Sequence, residues 1–274
     1  MTSSTDSAHH AANDPVVLSI RDGVATVTLN RPAAMNSLDV ATKVALRDTV
    51  QRVAEDPAVR CVVLTGTGRA FCVGQDLKEH IGLLESGRDD VLGTTVAEHY
   101  NPTVLALATM PKPVIAAVNG VAAGAGSSLA FACDYRLVAD TAGFNLAFAG
   151  IGLSCDTGSS WTLPRLVGRA KALELLFQPR TIGAEEALSL GLASRVVAAD
   201  ALAEEAAAFA ATLAAGPTVA FASIRSAVDF SATHGFAESL ANEGRLMDLT
   251  GATQDHRDAV AAFVAKQPPV FHGR

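Results

Sequence analysis

Three short stretches of the 274-residue sequence carry groups that could do chemistry. In "GLSCDTGSSW", Gly152 to Trp161, one carboxylate, Asp156, stands among small residues and turn formers ahead of a tryptophan. Such a carboxylate can transfer protons, or it can cap a helix starting near Gly158. In "TGTGRAFCVGQDL", Thr65 to Leu77, a strand runs into glycines and ends on Gly74-Gln75-Asp76, where a helix can begin. Backbone N–H groups at a helix start lack carbonyl partners, so this turn can hold an anion or a polarised oxygen. In "NGVAAGAGSSLAFACD", Asn119 to Asp134, small residues let a ligand approach the backbone, and a helix after Ala125 offers further unpaired N–H groups.

Positioning these stretches requires a scaffold, and the hydrophobic pattern supplies one. "VVLSIRDGVATVTLN" reads as two strands joined at the Asp22-Gly23 turn. After the Arg31-Pro32 break, Asp39 to Ala54 has helical periodicity with Asp39 as N-cap. "VRCVVLTG" and "KPVIAAV" are buried strands separated by glycines and an amphipathic stretch from about Val91 to Met110. A helix over Gly126 to Cys133, a strand at "YRLVAD" and the loop containing Asp156 follow. Strands alternating with helices indicate an α/β class with covered sheets. From about Asp200 to Lys266 the composition turns helical, so the expected organisation is a disordered lead-in over 1–14, an α/β core over 15–199 and a helical region over 200–274.

Bulk properties remove several classes of function. A net charge of −7 without a sustained Lys/Arg run disfavours nucleic-acid binding. Cys61, Cys72, Cys133 and Cys155 show neither a CxxC pair nor Cys/His spacing for a metal, as expected of reduced, mostly buried thiols in a cytoplasmic protein. "MTSSTDSAHHAAND" has no charged start followed by an apolar region, unlike a secretory signal. Val114 to Cys133 is uncharged over a bilayer's length, but Asn119, Gly120, Gly124 and Gly126 break it into a strand, a loop and a helix, so no membrane insertion is expected. A dinucleotide fingerprint at Gly124-Ala125-Gly126 fails because Leu129 occupies the third glycine position.

"LNRPAAMNSL", "GRAFCVGQDL", "PKPVIAAVNGVAAGAG", "GLSCDTGSSWTLPRLVGRAKALELL" and the terminal "AAFVAK" together resemble the enoyl-CoA hydratase/isomerase (crotonase) superfamily from about Val16 to Arg274. The resemblance implies a spiral of ββα turns with a C-terminal helical trimerisation region, assembled as a homotrimer or a hexamer. It implies an acyl-CoA thioester as substrate, with coenzyme A carried as part of that substrate and no separate cofactor or metal. By position, the backbone N–H groups of Gln75 and Ala125 would hold the thioester oxygen. Positional matches to coenzyme A and substrate contacts are Ala33, Ala34, Met35, Gly74, Asp76, Leu77, Lys78, Gly124, Phe148, Phe263 and Lys266.

The family's hydratases carry two glutamates, and here Ser128 and Phe148 stand at those places. Neither residue supplies the water activation and proton delivery that hydration needs. Asp134, Asp140 and Asp156 are the acids between Asn119 and Trp161; the first two occupy ordinary turn positions. Asp156 falls where some family isomerases place a catalytic aspartate, and its surroundings resemble those of the ring-epoxide isomerases of phenylacetate breakdown. Cys155, with no histidine nearby in sequence, is expected to be an inert thiol, and Trp161 to pack in the core. The expected function is therefore an acyl-CoA thioester isomerase using Asp156 as a single base. An enoyl-CoA hydratase and a catalytically silent acyl-CoA binder are the alternatives.

Overall fold

After an opening hairpin within one sheet, the chain lays down strands in pairs, one to each of two sheets, with helices following each pair. The structure, a computed structural model, describes residues 14–88 and 91–274. The lead-in expected over 1–14 lies, apart from Asp14, outside the described residues. β1 (Val16–Arg21) and β2 (Val24–Leu29) pair antiparallel about Asp22 and Gly23, whose φ values of 50° and 78° give the left-handed backbone of a tight hairpin. α1 (Val40–Glu55) starts at Asp39, whose side chain accepts from the Thr42 amide at 2.8 Å, as the sequence predicts.

The ββα turns follow. β3 (Cys61–Gly66) and β4 (Ala70–Cys72) lead to α2 (Leu77–Glu85), then to α3 (Val91–Thr95) and α4 (Asn101–Thr109), which a π-helical turn over Val96–Tyr100 joins. β5 (Val114–Val118) and β6 (Val121–Ala123) lead to α5 (Ala125–Phe131). β7 (Tyr135–Ala139) and β8 (Gly143–Asn145) lead through a short 3-10 turn to α6 (Ser159–Val167) and α7 (Arg169–Phe177). β9 (Ile182–Gly183), α8 (Ala184–Ser189) and β10 (Arg195–Val197) close the sheets. Among the described residues one sheet runs β1-β2-β3-β5-β7-β10 and the other β4-β6-β8-β9. Successive long strands are parallel neighbours, so Val62, Ile115 and Leu137 are buried on both faces and read as uninterrupted apolar runs.

The helical region comprises α9 (Leu202–Ala214), α10 (Thr218–Ser231), α11 (Phe236–Gly251) and α12 (Gln254–Val264). Arg225 of α10 ion-pairs with Asp134 at 2.8 Å, while the other Asp134 oxygen accepts from the Val114 amide. Asp140 accepts from the Ala199 amide. Both acids thus serve as junction fasteners. Ile224, Val228, Met247 and Phe263 of the helical region are exposed. Val114 to Cys133 forms β5, β6 and α5, and among the described residues no single helix is long and apolar enough to cross a membrane.

Gly126 is where α5 seats against β4: a Cβ there would lie 2.0 Å from the Cys72 carbonyl oxygen. Gly126→Ala is expected to push the helix off the sheet and to cost about 3 kcal/mol of stability. Urea denaturation of the variant and the wild type checks this, and equal midpoints would refute the close seating.

Candidate active site

Two turns meet at one end of the sheets because Gly74 lacks a side chain. Its φ is +81°, and a Cβ there would stand 2.9 Å from the Ala123 carbonyl oxygen and 3.3 Å from the Ala125 nitrogen. Glycine alone accepts both that backbone conformation and that approach. The following residue, Gln75, and the first residue of α5, Ala125, are thereby brought side by side. Among the described residues neither of their N–H groups has a hydrogen-bond acceptor, although neighbouring amides do: Gly74 donates to Cys72 Sγ, Asp76 to the Leu38 carbonyl and Gly124 to the Asn145 carbonyl. Two preorganised donors at one place suit an oxygen on which charge develops.

A cleft of about 550 Å³ opens here and is lined by Gly74, Gln75, Gly124, Ala125 and Asp156 together. The loop carrying Asp156 turns sharply. Thr157 has φ +52° and Gly158 φ +80°, a pair of left-handed residues of which the β-branched threonine is strained. Buried Thr157 fixes the acid by donating its hydroxyl to Asp156 Oδ1 at 2.8 Å. α6 is capped by the backbone of Gly158, and the Asp156 side chain makes no cap bond, which removes the capping role. Burial raises the Asp156 carboxyl above its ordinary value, opposed more weakly by donation from Thr157 and its own amide. A carboxylate so placed is a stronger base than one in water.

The walls are mostly apolar. Leu77, Val96, Ala147, Phe148, Ile151 and Leu153 line the cleft, and no acid other than Asp156 does so among the described residues. Phe148, 8 % exposed, presents a ring at one of the two glutamate positions. Ser128, at the other, is fully buried; its hydroxyl pairs with that of Ser159 at 2.5 Å and lies behind the cleft lining. Tyr100, brought in by the π-helical turn, lines the floor and donates its hydroxyl to Gln75 Oε1 at 2.6 Å. Burial first, and the nearby charge of Asp156 second, keep this phenol protonated far above the usual range.

The cleft therefore unites Gly74, Gln75, Leu77, Gly124, Ala125, Phe148 and Asp156 from the sequence-based set. The others lie outside its lining. Asp76, buried, spends its carboxylate on Ser37, Arg31 and the first amides of α2. Burial alone would raise its carboxyl, yet these donors hold it below the ordinary value. Through Asp76 the loop bearing Ala33, Ala34 and Met35 is fastened beside α2, on whose first turn Lys78 is exposed. Phe263, 84 % exposed, and Lys266 sit at the end of α12.

Two further expectations concern the neighbours of Asp156. Cys155 is half-buried and lines the cleft, whereas burial pushes the thiols of Cys61, Cys72 and Cys133 up to about 12. Trp161 does not pack in the core. It is 50 % exposed, with the Arg165 guanidinium 3.3 Å from its ring centroid one helical turn on. Tyr100 and its buried neighbour Lys43 carry no local sequence signal, because the partners that reveal them lie far along the chain.

A family model described as Enoyl-CoA hydratase/isomerase matches residues 19–274. The chain is similar to the 1,2-epoxyphenylacetyl-CoA isomerase of Escherichia coli (strain K12), with 40% identity over 255 residues, 93% of this chain and 97% of that protein. It is also similar to the (E)-benzylidenesuccinyl-CoA hydratase of Thauera aromatica, with 37% identity over 264 residues, 94% of this chain and 99% of that protein. The crystal structure of an enoyl-CoA hydratase from Bacillus anthracis superposes with a TM-score of 0.89 at 30% identity, covering 95% of this chain and 100% of that one.

Because the folded protein holds the Asp156 proton more tightly than the unfolded chain does, the stability this proton confers is complete below the unfolded value of 3.8 and is lost as pH rises through the raised folded value. Asp156→Asn, which keeps an acceptor for Thr157, is expected to be more stable than wild type at about pH 8, with the difference closing towards about pH 4. Urea denaturation at both pH values measures this. A gap that widens in acid would contradict the assigned direction.

Proposed function

We infer, since this chain belongs to the enoyl-CoA hydratase/isomerase family, that it isomerises an acyl-CoA thioester through an enolate, with Asp156 as its single base. The observation that carries this is one cleft holding two unbonded amides and one carboxylate. In the proposed reaction Asp156 takes a proton from a carbon of the acyl group. The electron pair of that C–H bond moves towards the thioester, and the oxygen that gains charge is held by the N–H groups of Gln75 and Ala125. The Asp156 carboxyl then returns the proton at another carbon, so atoms balance with no water consumed. A single acid suffices for such a shift.

Hydration fits these residues less well. It needs a second group to activate water, and the positions available are an apolar ring, Phe148, and a serine hydroxyl sealed against Ser159. A silent binder would have no use for a desolvated carboxylate opposite free amides. We further propose an acyl group derived from an aromatic compound, entering as a double-bond or ring-epoxide isomerisation. Support comes from the apolar walls and from the substrates named for the Escherichia coli and Thauera aromatica relatives. We also propose self-association as a homotrimer or hexamer, for which the exposed Ile224, Val228, Met247 and Phe263 provide an apolar surface.

Incubating the protein with aliphatic 2-enoyl, aliphatic 3-enoyl and aromatic-derived CoA esters in heavy water tests the reaction, with products located by NMR. Deuterium uptake with a moved double bond or opened ring is expected, and persistence of the conjugated absorbance of crotonyl-CoA is expected alongside it. Loss of that absorbance by water addition would favour the hydratase. Asp156→Asn is expected to lower turnover by about 10²- to 10⁴-fold while thioester binding persists, and a fully active variant would move the base elsewhere. Sedimentation should give a trimer or hexamer mass; a monomer would refute the assembly.

A further inference from the structure

Beneath the floor of the cleft lies a buried ammonium that the proposed chemistry does not touch. Lys43, on α1, is 3 % exposed. Its Nζ reaches Gln75 Oε1 at 3.2 Å, Glu79 Oε1 at 3.2 Å and Thr95 Oγ1 at 2.9 Å, so each of its three protons has an acceptor on a different segment around the cleft. Burying an ammonium costs several kcal/mol before its partners are counted, so a sequence that keeps one here needs what its bonds hold in place.

What they hold is the Gln75 side chain. Its Oε1 receives both Lys43 Nζ and the Tyr100 hydroxyl, and its Nε2 donates to Glu79 Oε1 at 3.3 Å. Leu38 holds the backbone on either side, donating its N–H to the Gly74 carbonyl at 2.8 Å and accepting from the Asp76 amide, and the fastened side-chain amide adds a restraint on the turn of Gln75 itself. The second Glu79 oxygen accepts from the Val40 amide at 2.9 Å, in the first turn of α1, and so closes the network back on the helix that bears Lys43. α2, which carries Glu79, has no buried side chain of its own. Polar bonds, not apolar burial, therefore set this wall. Because Lys43 and Glu79 form an ion pair, their charges largely cancel at the thioester, and the contribution is orientation more than field.

We propose that Lys43 is a positioning residue that holds the Gln75 N–H on the thioester oxygen by clamping the Gln75 side chain together with Glu79 and Thr95. This rests on the role assigned above to Gln75 as an oxyanion donor. The test uses phenylacetyl-CoA labelled with heavy carbon at the thioester carbonyl, bound to the whole protein. Difference infrared spectra report how strongly the carbonyl is polarised, and uptake of deuterium at the adjacent carbon gives kcat and KM for exchange.

In wild type the carbonyl stretch is expected to fall below its value in water. In Lys43→Met most of that displacement is expected to vanish, with kcat lower by about 10- to 100-fold and KM changed by less than about threefold. Gln75→Leu keeps the backbone donor and leaves Lys43 paired with Glu79 and Thr95, so it tests the same clamp should Lys43→Met not fold. It is expected to reproduce the loss, and the double variant to be no worse than the worse single. Wild-type displacement retained in Lys43→Met or in Gln75→Leu would overturn the proposal, as would losses that multiply in the double variant. A wild-type carbonyl that is not displaced at all would instead refute the oxyanion site on which the proposal stands.

Discussion

The site depends on how closely two backbone segments can approach. Gly74 lets the turn after β4 press against Ala123 and Ala125, and Gly126 lets α5 sit on the Cys72 carbonyl. Those contacts place two amides together, and among the described residues the Gln75 and Ala125 N–H groups find no acceptor. Unbonded amides are costly where water is excluded and are repaid by an anionic oxygen, an asymmetry that would turn binding into catalysis on the proposed function. The ββα spiral is what delivers these turns to a common end. Each repeat places a strand in either sheet and then starts a helix, so the β4–α2 and β6–α5 junctions lie next to one another in register.

The acid that lines the same cleft obeys the same economy of contacts. Asp156 keeps one neighbouring hydroxyl donor, from Thr157, in a cleft whose walls are mostly apolar. Asp76, outside the cleft lining, shows the contrast: four donors surround it and its charge is locked into structure. The two carboxyls move in opposite directions from the same starting value, one raised by burial and one lowered because its donors outweigh burial. Proton transfer is available only to the first.

Much of this was legible in the sequence where the cause is local. The Asp22-Gly23 hairpin, the Asp39 cap and the apolar strands at Cys61 and Val114 follow from one to six adjacent residues and appear as expected. Asp156 stood out through the resemblance of its loop to the family's isomerases, since local chemistry alone pointed as readily to a helix cap. Lys43 and Tyr100 could not be found that way. Lys43 is bound to partners 32, 36 and 52 positions away, and Tyr100 reaches Gln75 across 25 positions through a helical segment whose course no periodicity announces. Trp161 failed for a different reason: its size favours burial, but its face of α6 points outward and the guanidinium of Arg165 covers the ring.

If, as the resemblance implies, Phe148 and Ser128 stand where the family's hydratases carry glutamates, more changes than the number of acids. A second carboxylate beside Asp156 would repel its charge and would bring water with it, and both effects would compete with a proton passing back and forth between one base and one substrate. Phe148 keeps that side of the cleft apolar, and the Ser128–Ser159 pair fastens α5, which carries one amide, to α6, whose N-terminal turn follows the base. The Ser128–Ser159 pair thus acts as a strut between α5 and α6. On the proposed reading, in which the cleft holds no second acid to assist water, an enolate formed here is reprotonated by the carboxyl that made it.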